Sequence, residues 1–139
     1  MPEIFHLLNI KAPISTVYEA LTEQKGLSSW WTKETKASPK EGSVAEFIFG
    51  ERYHNKMMIS RLIRDKEVSW ICTQADPEWI GTRIRFILLP DSNSTRLKFS
   101  HANWKESTDF FGHCNFQWGR YLVSLKDYCE TGKGNPFSP

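Results

Sequence analysis

The sequence predicts an α+β domain in which a curved antiparallel six-strand sheet wraps around a long C-terminal helix, with two short helices after the first strand. Two observations carry this. Residues 107–131 (STDFFGHCNFQWGRYLVSLKDYCET) contain no proline. At 3.6 residues per turn they place Phe111, Cys114, Trp118, Tyr121, Leu122, Leu125 and Cys129 on one stripe. Residues from about 45 to 101 instead alternate with period two and are divided by turn signals, the pattern of an antiparallel sheet with one wet face. A helix and a sheet with one apolar face each must bury those faces together, so the sheet curves around the helix.

The elements follow in order. Ile4 to Ile10 reads as the first strand, with Ile4, His6, Leu8 and Ile10 in one row. Phe5 and Leu7 fall in the other row, so both faces are expected to be partly covered. Lys11-Ala12-Pro13 stops the strand, and Pro13 suits the first turn of a helix whose apolar positions are Ile14, Val17, Tyr18 and Leu21. Gly26 is read as the stop of that helix, and Leu27, Trp30 and Trp31 as a second short helical turn packed on it. A polar connector spans residues 37–42. Ala45, Phe47 and Phe49 then share a face, Gly50 to Asn55 turns the chain, and Met57 to Arg64 is the next strand. After a charged turn, Val68, Trp70 and Cys72 face one way. A loop at residues 75–81 holds Pro77 and Trp79. Beyond it Thr82, Ile84, Phe86 and Leu88 face in, and after a turn at residues 90–94 so do Leu97, Phe99 and His101.

Ser107 or Thr108 can cap the last helix, and Gly132 is placed to end it in a left-handed conformation. Gly112 and Gly119 oppose it by about 1 kcal/mol each. A helix of about 25 residues is roughly 37 Å long, the width of a small domain. Residues 133–139 (KGNPFSP) are expected to be a loose tail on a single domain whose core spans about 3–132.

Composition limits what the domain can do. Its length of 139 residues fits one self-sufficient core. Aromatic residues make up 14%, six of them tryptophan, which points to large flat core walls or to a core with a hole in it. A net charge of +2 gives no reason to expect a nucleic-acid partner. Cys72, Cys114 and Cys129 are odd in number and match no zinc spacing, so they read as reduced thiols of a cytoplasmic protein. The start, MPEIFHLLNIKAP, lacks the basic-then-apolar pattern of a signal peptide, and no run reaches the ~20 apolar residues needed for membrane insertion.

A family resemblance rests on an ordered set of residues. These are Ala12-Pro13, Val17-Tyr18, Ala20-Leu21, Gly26-Leu27 and Trp30-Trp31-Thr32, then Phe47, Gly50, Val68-x-Trp70-x-Cys72, Leu97-x-Phe99-x-His101 and Trp104, and finally Trp118, Tyr121-Leu122 and Ser124-Leu125-Lys126. Over residues 3 to 132 the chain resembles the helix-grip, START-like superfamily. More narrowly, it resembles the short bacterial form of the family named after the activator of the heat-shock-protein-90 ATPase. The resemblance implies a deep cavity between long helix and sheet, which superfamily members use for lipids, sterols, polyketides, plant hormones and other apolar molecules. Some members catalyse cyclisation or hydrolysis there. The chain begins directly at the first strand, so the separate N-terminal domain of the eukaryotic activators is expected to be missing.

The inward rows nominate a lining: Phe47, Phe49, Trp70, Cys72, Phe86, Phe99 and His101 from the sheet, Phe111, Cys114, Trp118 and Leu122 from the helix, and Trp79 from the loop above. The plain reading is that these rings fill the centre, as in any core. The sharper one is a cavity, since rigid rings are hard to pack without voids. Cys114 and His101 could meet across the interior as nucleophile and base, but no carboxylate lies on either row to orient the histidine. The acids at 106/109 and 127/130 are solvated helix-surface pairs. There is no H-E-x-x-H, P-loop or G-x-G-x-x-G, so neither a cofactor nor a metal site is suggested. Phe116 and Val123 lie off the main stripe, either against the loops at Trp30-Trp31 or Trp104, or as a homodimer patch.

The leading expectation is a binder of a small apolar, lipid-like or aromatic ligand, admitted under the Trp79 loop or the turn at Gly50 to Asn55. A module modulating a chaperone ATPase is the alternative, and a cavity enzyme the third.

Overall fold

The computed structural model describes residues 1–139. It contains β1 (Ile4–Ile10), α1 (Ile14–Thr22), α2 (Gln24–Trp30), β2 (Glu34–Lys36), β3 (Val44–Phe49), β4 (Tyr53–Ile63), β5 (Glu67–Gln74), β6 (Arg83–Asp91), β7 (Ser94–Ala102) and α3 (Asp109–Thr131). The strands form one antiparallel sheet in the order β1-β7-β6-β5-β4-β3-β2. It has seven strands rather than the expected six. The extra one, β2, is a three-residue edge strand with Thr35 opposite Phe47, too short to show any alternation. The β4–β5 ladder shifts register at Lys56/Met57 and again at Ile59/Arg61, irregularities of the kind that bend a sheet.

Thr108 caps α3 by accepting from the Phe111 amide, and Gly132 ends it at φ 85°. Cys114, Trp118, Leu122 and Leu125 are buried against the concave face of the sheet, where the inward rows of β3, β5, β6 and β7 are also buried. On the convex face the buried Glu67 carboxylate is held by Arg85 (3.2 and 3.3 Å) and by the Ser69 hydroxyl (2.8 Å). Burial alone would raise its pKa. The hydrogen bonds from Arg85 and Ser69, together with the charges of Arg85 and Arg61, outweigh burial and hold it below the usual carboxylate range.

Four expectations change. Gly26 is not a stop: the first helix breaks at Glu23, which is extended, and Gly26 lies inside α2. A Cβ at Gly26 would sit 2.6 Å from Ala20 Cα, so this glycine lets the two helices touch, and Trp30 Nε1 seals the contact by donating to Ala20 O (2.8 Å). The turn after β3 ends at Arg52, which places Tyr53, His54 and Asn55 within β4. Phe5 and Leu7 are both more than half exposed, because nothing covers the outer face of β1. The tail is not loose. Phe137 forms a parallel bridge with Thr32, its amide donates to Trp31 O (2.8 Å), and its carbonyl accepts from the Lys33 amide (3.1 Å). The Asn135 amide donates to Ser124 Oγ (2.7 Å), which in turn donates to Trp30 O (2.9 Å).

Candidate functional site

Four indoles stand in series between helix and sheet. Trp79 stacks on Trp118 (centroids 6.0 Å, planes 13° apart), Trp118 on Trp31 (5.1 Å, 27°), and Trp31 on Trp70 (5.7 Å, 20°). Each comes from a different element: the loop after β5, α3, the residue capping α2, and β5. Beyond Trp70 the core is closed by edge-on and tilted phenyl rings. Phe86 meets Trp70 at 5.2 Å and Phe99 at 5.2 Å, and Phe47 lies 4.5 Å from Trp31.

On the other side the stack borders a cleft of about 570 Å3. Its walls are Trp31, Phe49, Trp79, Phe110, Cys114, Trp118, Tyr121 and Phe137. Its rim carries Glu51 and Arg52 from the turn after β3, Asp76 from the Trp79 loop, and His113 and Gln117 from α3. Glu51, Arg52 and His113 are exposed, so the cleft opens to solvent between that turn and α3. Burial pushes the Tyr121 phenol up, leaving a neutral hydroxyl at the wall.

Of the twelve nominated residues, Phe49, Trp79, Cys114 and Trp118 line the cleft. Phe47, Trp70, Cys72, Phe86, Phe99, His101 and Leu122 lie behind it with 2% exposure or less, as close-packed core. Phe111 is half-buried and packs edge-on against Trp104 at 5.0 Å. Five wall or floor residues were not nominated: Trp31, Asn55, Phe110, Tyr121 and Phe137. Asn55 was legible by stepping the period-two row of β4 back from Met57, and Tyr121 already lay on the helix stripe. Phe137 carried no signal, because its partners are distant in sequence.

Cys114 and His101 are each committed elsewhere. Trp79 Nε1 donates to Cys114 Sγ (3.4 Å), and burial pushes that thiol up to about 11. Trp118 Nε1 donates to His101 Nδ1 (3.1 Å), so His101 Nε2 carries the proton and donates to Thr82 Oγ1 (2.8 Å). Burial lowers the His101 pKa to about 3. The Cys72 and Cys129 thiols are also pushed up by burial, to about 11 and about 12, so no cysteine is held as a thiolate. No three His, Cys, Asp or Glu side chains are grouped to hold a metal ion. No helix is long and apolar enough to cross a membrane.

A long helix gripped by a curved antiparallel sheet, with an apolar cleft at one end of the contact, defines a helix-grip, START-like domain. The sequence places the chain more narrowly. Residues 11–130 match the family described as "Activator of Hsp90 ATPase homolog 1-like protein", and the chain belongs to that family. The Aha1 dimer from Colwellia psychrerythraea, a solution structure, is 40% identical with a TM-score of 0.89, covering 96% of this chain and 100% of that one. Two crystal structures share the fold at lower identity. MLL2253 from Mesorhizobium loti is 16% identical (TM-score 0.80, covering 91% of this chain and 95% of that one). CalU16 from Micromonospora echinospora is 18% identical (TM-score 0.74, covering 96% and 76%). A search of curated proteins found no match.

Proposed function

We propose that the protein binds a small, largely apolar, ring-bearing ligand in the cleft between α3, the turn after β3 and the Trp79 loop. The observation that carries this reading is the wall itself: the Trp31, Trp79 and Trp118 rings stand nearly parallel beside an open space of about 570 Å3. That volume falls among those of small-molecule sites, roughly 300–1,000 Å3, which are likewise mostly apolar with few polar groups. A ring-bearing ligand fits such a wall through edge-on and offset contacts with these indoles and with Phe49 and Tyr121. Three unpaired, buried or half-buried thiols accord with a reducing, cytoplasmic setting.

The test is native mass spectrometry of protein purified gently from its own source, compared with its denatured mass. A reproducible extra mass lost on denaturation is expected. No extra mass, together with no uptake of ring compounds by the purified protein, overturns the reading.

A second reading concerns assembly. The 40% identical relative is described as a dimer, and on this chain Phe116 and Val123 stand 67% and 55% exposed, two turns apart on one face of α3. We propose that this face joins two copies. Action on a chaperone ATPase rests on the family's description alone. It separates from ligand binding by whether it survives filling the cleft.

A further inference from the structure

We infer that Asn55 is the polar anchor of the cleft, and that the ligand is an uncharged planar ring system carrying a hydrogen-bond donor, a phenolic hydroxyl or a ring N–H. This rests on the binding function proposed above and narrows its ligand class.

Asn55 sits on β4 opposite Phe47, on the concave face, and is 5% exposed. It lines the cleft, yet its Oδ1 is buried without a hydrogen-bond partner. Buried polar groups are nearly always paired, because an unpaired one forfeits its water without replacement. An apolar side chain at this position would continue the row of Phe47 and Met57 at no such cost. An amide in that place is therefore a stability sacrifice that a bound donor removes. A phenolic hydroxyl, which both donates and accepts, satisfies the amide whichever way round it lies. One residue further on, the β4–β5 ladder skips Thr73, the kind of irregularity that re-aims side chains beside a site.

The other ligand features follow from the surroundings. Around Asn55 the walls are the aromatic side chains of Trp31, Phe49, Trp118 and Tyr121. The rim sets two carboxylates, Glu51 and Asp76, against the single guanidinium of Arg52, which disfavours an anion, and no carboxylate stands among the apolar walls to pair a cation, so a neutral ligand is selected.

The test compares 2-naphthol with 2-methoxynaphthalene by equilibrium dialysis against the full chain. The two share a ring system, and only the first can donate. Wild type is expected to bind 2-naphthol about tenfold more tightly, since a site built around a buried hydrogen bond rejects analogues that leave it unmade. In Asn55→Leu the preference is expected to vanish while 2-methoxynaphthalene still binds. Equal affinities in wild type, or a preference that persists in Asn55→Leu, overturn the anchor and leave the binding function standing. If neither compound binds wild type, the anchor is overturned, and the binding function falls with it where native mass spectrometry also shows no extra mass. The wild-type comparison requires no variant to fold.

Discussion

Trp118 Nε1 donates to His101 Nδ1 at 3.1 Å, and this contact fixes the histidine as a neutral tautomer in the centre of the protein. The chain continues from His101 Nε2 to Thr82 Oγ1 (2.8 Å), and from that hydroxyl to Trp79 O (2.5 Å). It ties α3, β7 and the Trp79 loop together directly behind the cleft wall.

Acid should therefore weaken the fold through His101. Burial lowers its folded pKa to about 3, against an ordinary 6.5. Between these values the unfolded chain binds the extra proton. The stabilisation is thus complete above pH 6.5 and is lost as pH falls toward 3. The loss is about 1.4 kcal/mol per pH unit, or about 2 kcal/mol between pH 6.5 and 5, before most carboxylates titrate. Urea unfolding at those two pH values should show this in wild type. In His101→Gln the slope should largely disappear, alongside a pH-independent cost of about 1–3 kcal/mol for the disturbed hydrogen bonds. An unchanged slope in the variant would assign the acid sensitivity elsewhere.

Two glycine-to-alanine changes should have opposite signs. Helix propensity favours alanine at both by up to about 1 kcal/mol. At Gly112 the new Cβ meets nothing within 4 Å, so Gly112→Ala should stabilise by about 0.5–1 kcal/mol. At Gly26 it would lie 2.6 Å from Ala20 Cα and 2.8 Å from Ala20 O, both backbone atoms that cannot step aside. Gly26→Ala should force α1 and α2 apart and destabilise by about 2 kcal/mol or more, despite the better propensity. Thermal melts of both variants check the pair.

The same contrast explains what the sequence could and could not reveal. The long helix was legible because its stripe, its Thr108 cap and its Gly132 stop are local signals that agree with one another. The inward rows of β5, β6 and β7 were legible because period two persists along each of them. Gly26 misled because a glycine that stops a helix and one that lets a neighbouring helix approach are the same letter. The difference lies in Ala20, across the helix pair. Asn55 misled because a polar residue near a turn reads as turn, whereas β4 already includes it. Most nominated rings proved to be packing rather than lining, since an inward-facing phenylalanine looks identical in sequence whether its neighbour is Trp70 or an open cleft. Only the depth to which rings fill the space distinguishes Phe86 from Phe49, and that is set by contacts distant in sequence.

Removing residues 134–139 should cost about 2 kcal/mol, even though they lie beyond the last helix. The segment contributes the backbone pairing of Phe137 with Trp31 and Lys33, the Asn135 bond to Ser124, and the Phe137 ring 5.5 Å from Phe49. Phe137 also lines the cleft, so truncation should weaken ligand uptake in dialysis as well as lower the melting temperature. Phe137→Leu, which keeps the backbone pairing and some of the apolar bulk, should recover most of the stability. A truncated chain with wild-type stability would mean that the tail's contacts do not persist in solution.

Filling the cleft should separate ligand binding from every property of the outer surface. Cys114 is 5% exposed, lines the cleft, and lies on α3 one turn from Trp118. In Cys114→Trp the indole can only project into the open space, and Trp79 Nε1 loses its sulfur acceptor, so the fold should lose about 1–3 kcal/mol but remain cooperative. Uptake of 2-naphthol should fall by at least about tenfold, because the new ring occupies the volume the ligand needs. Phe116→Glu combined with Val123→Glu supplies the reverse experiment. Both side chains are exposed on α3 and absent from the cleft, so this variant should bind 2-naphthol normally while sedimenting as a monomer. If Cys114→Trp still takes up 2-naphthol at wild-type affinity, the ligand sits elsewhere. If the double variant sediments like wild type, two copies do not meet through this face of α3.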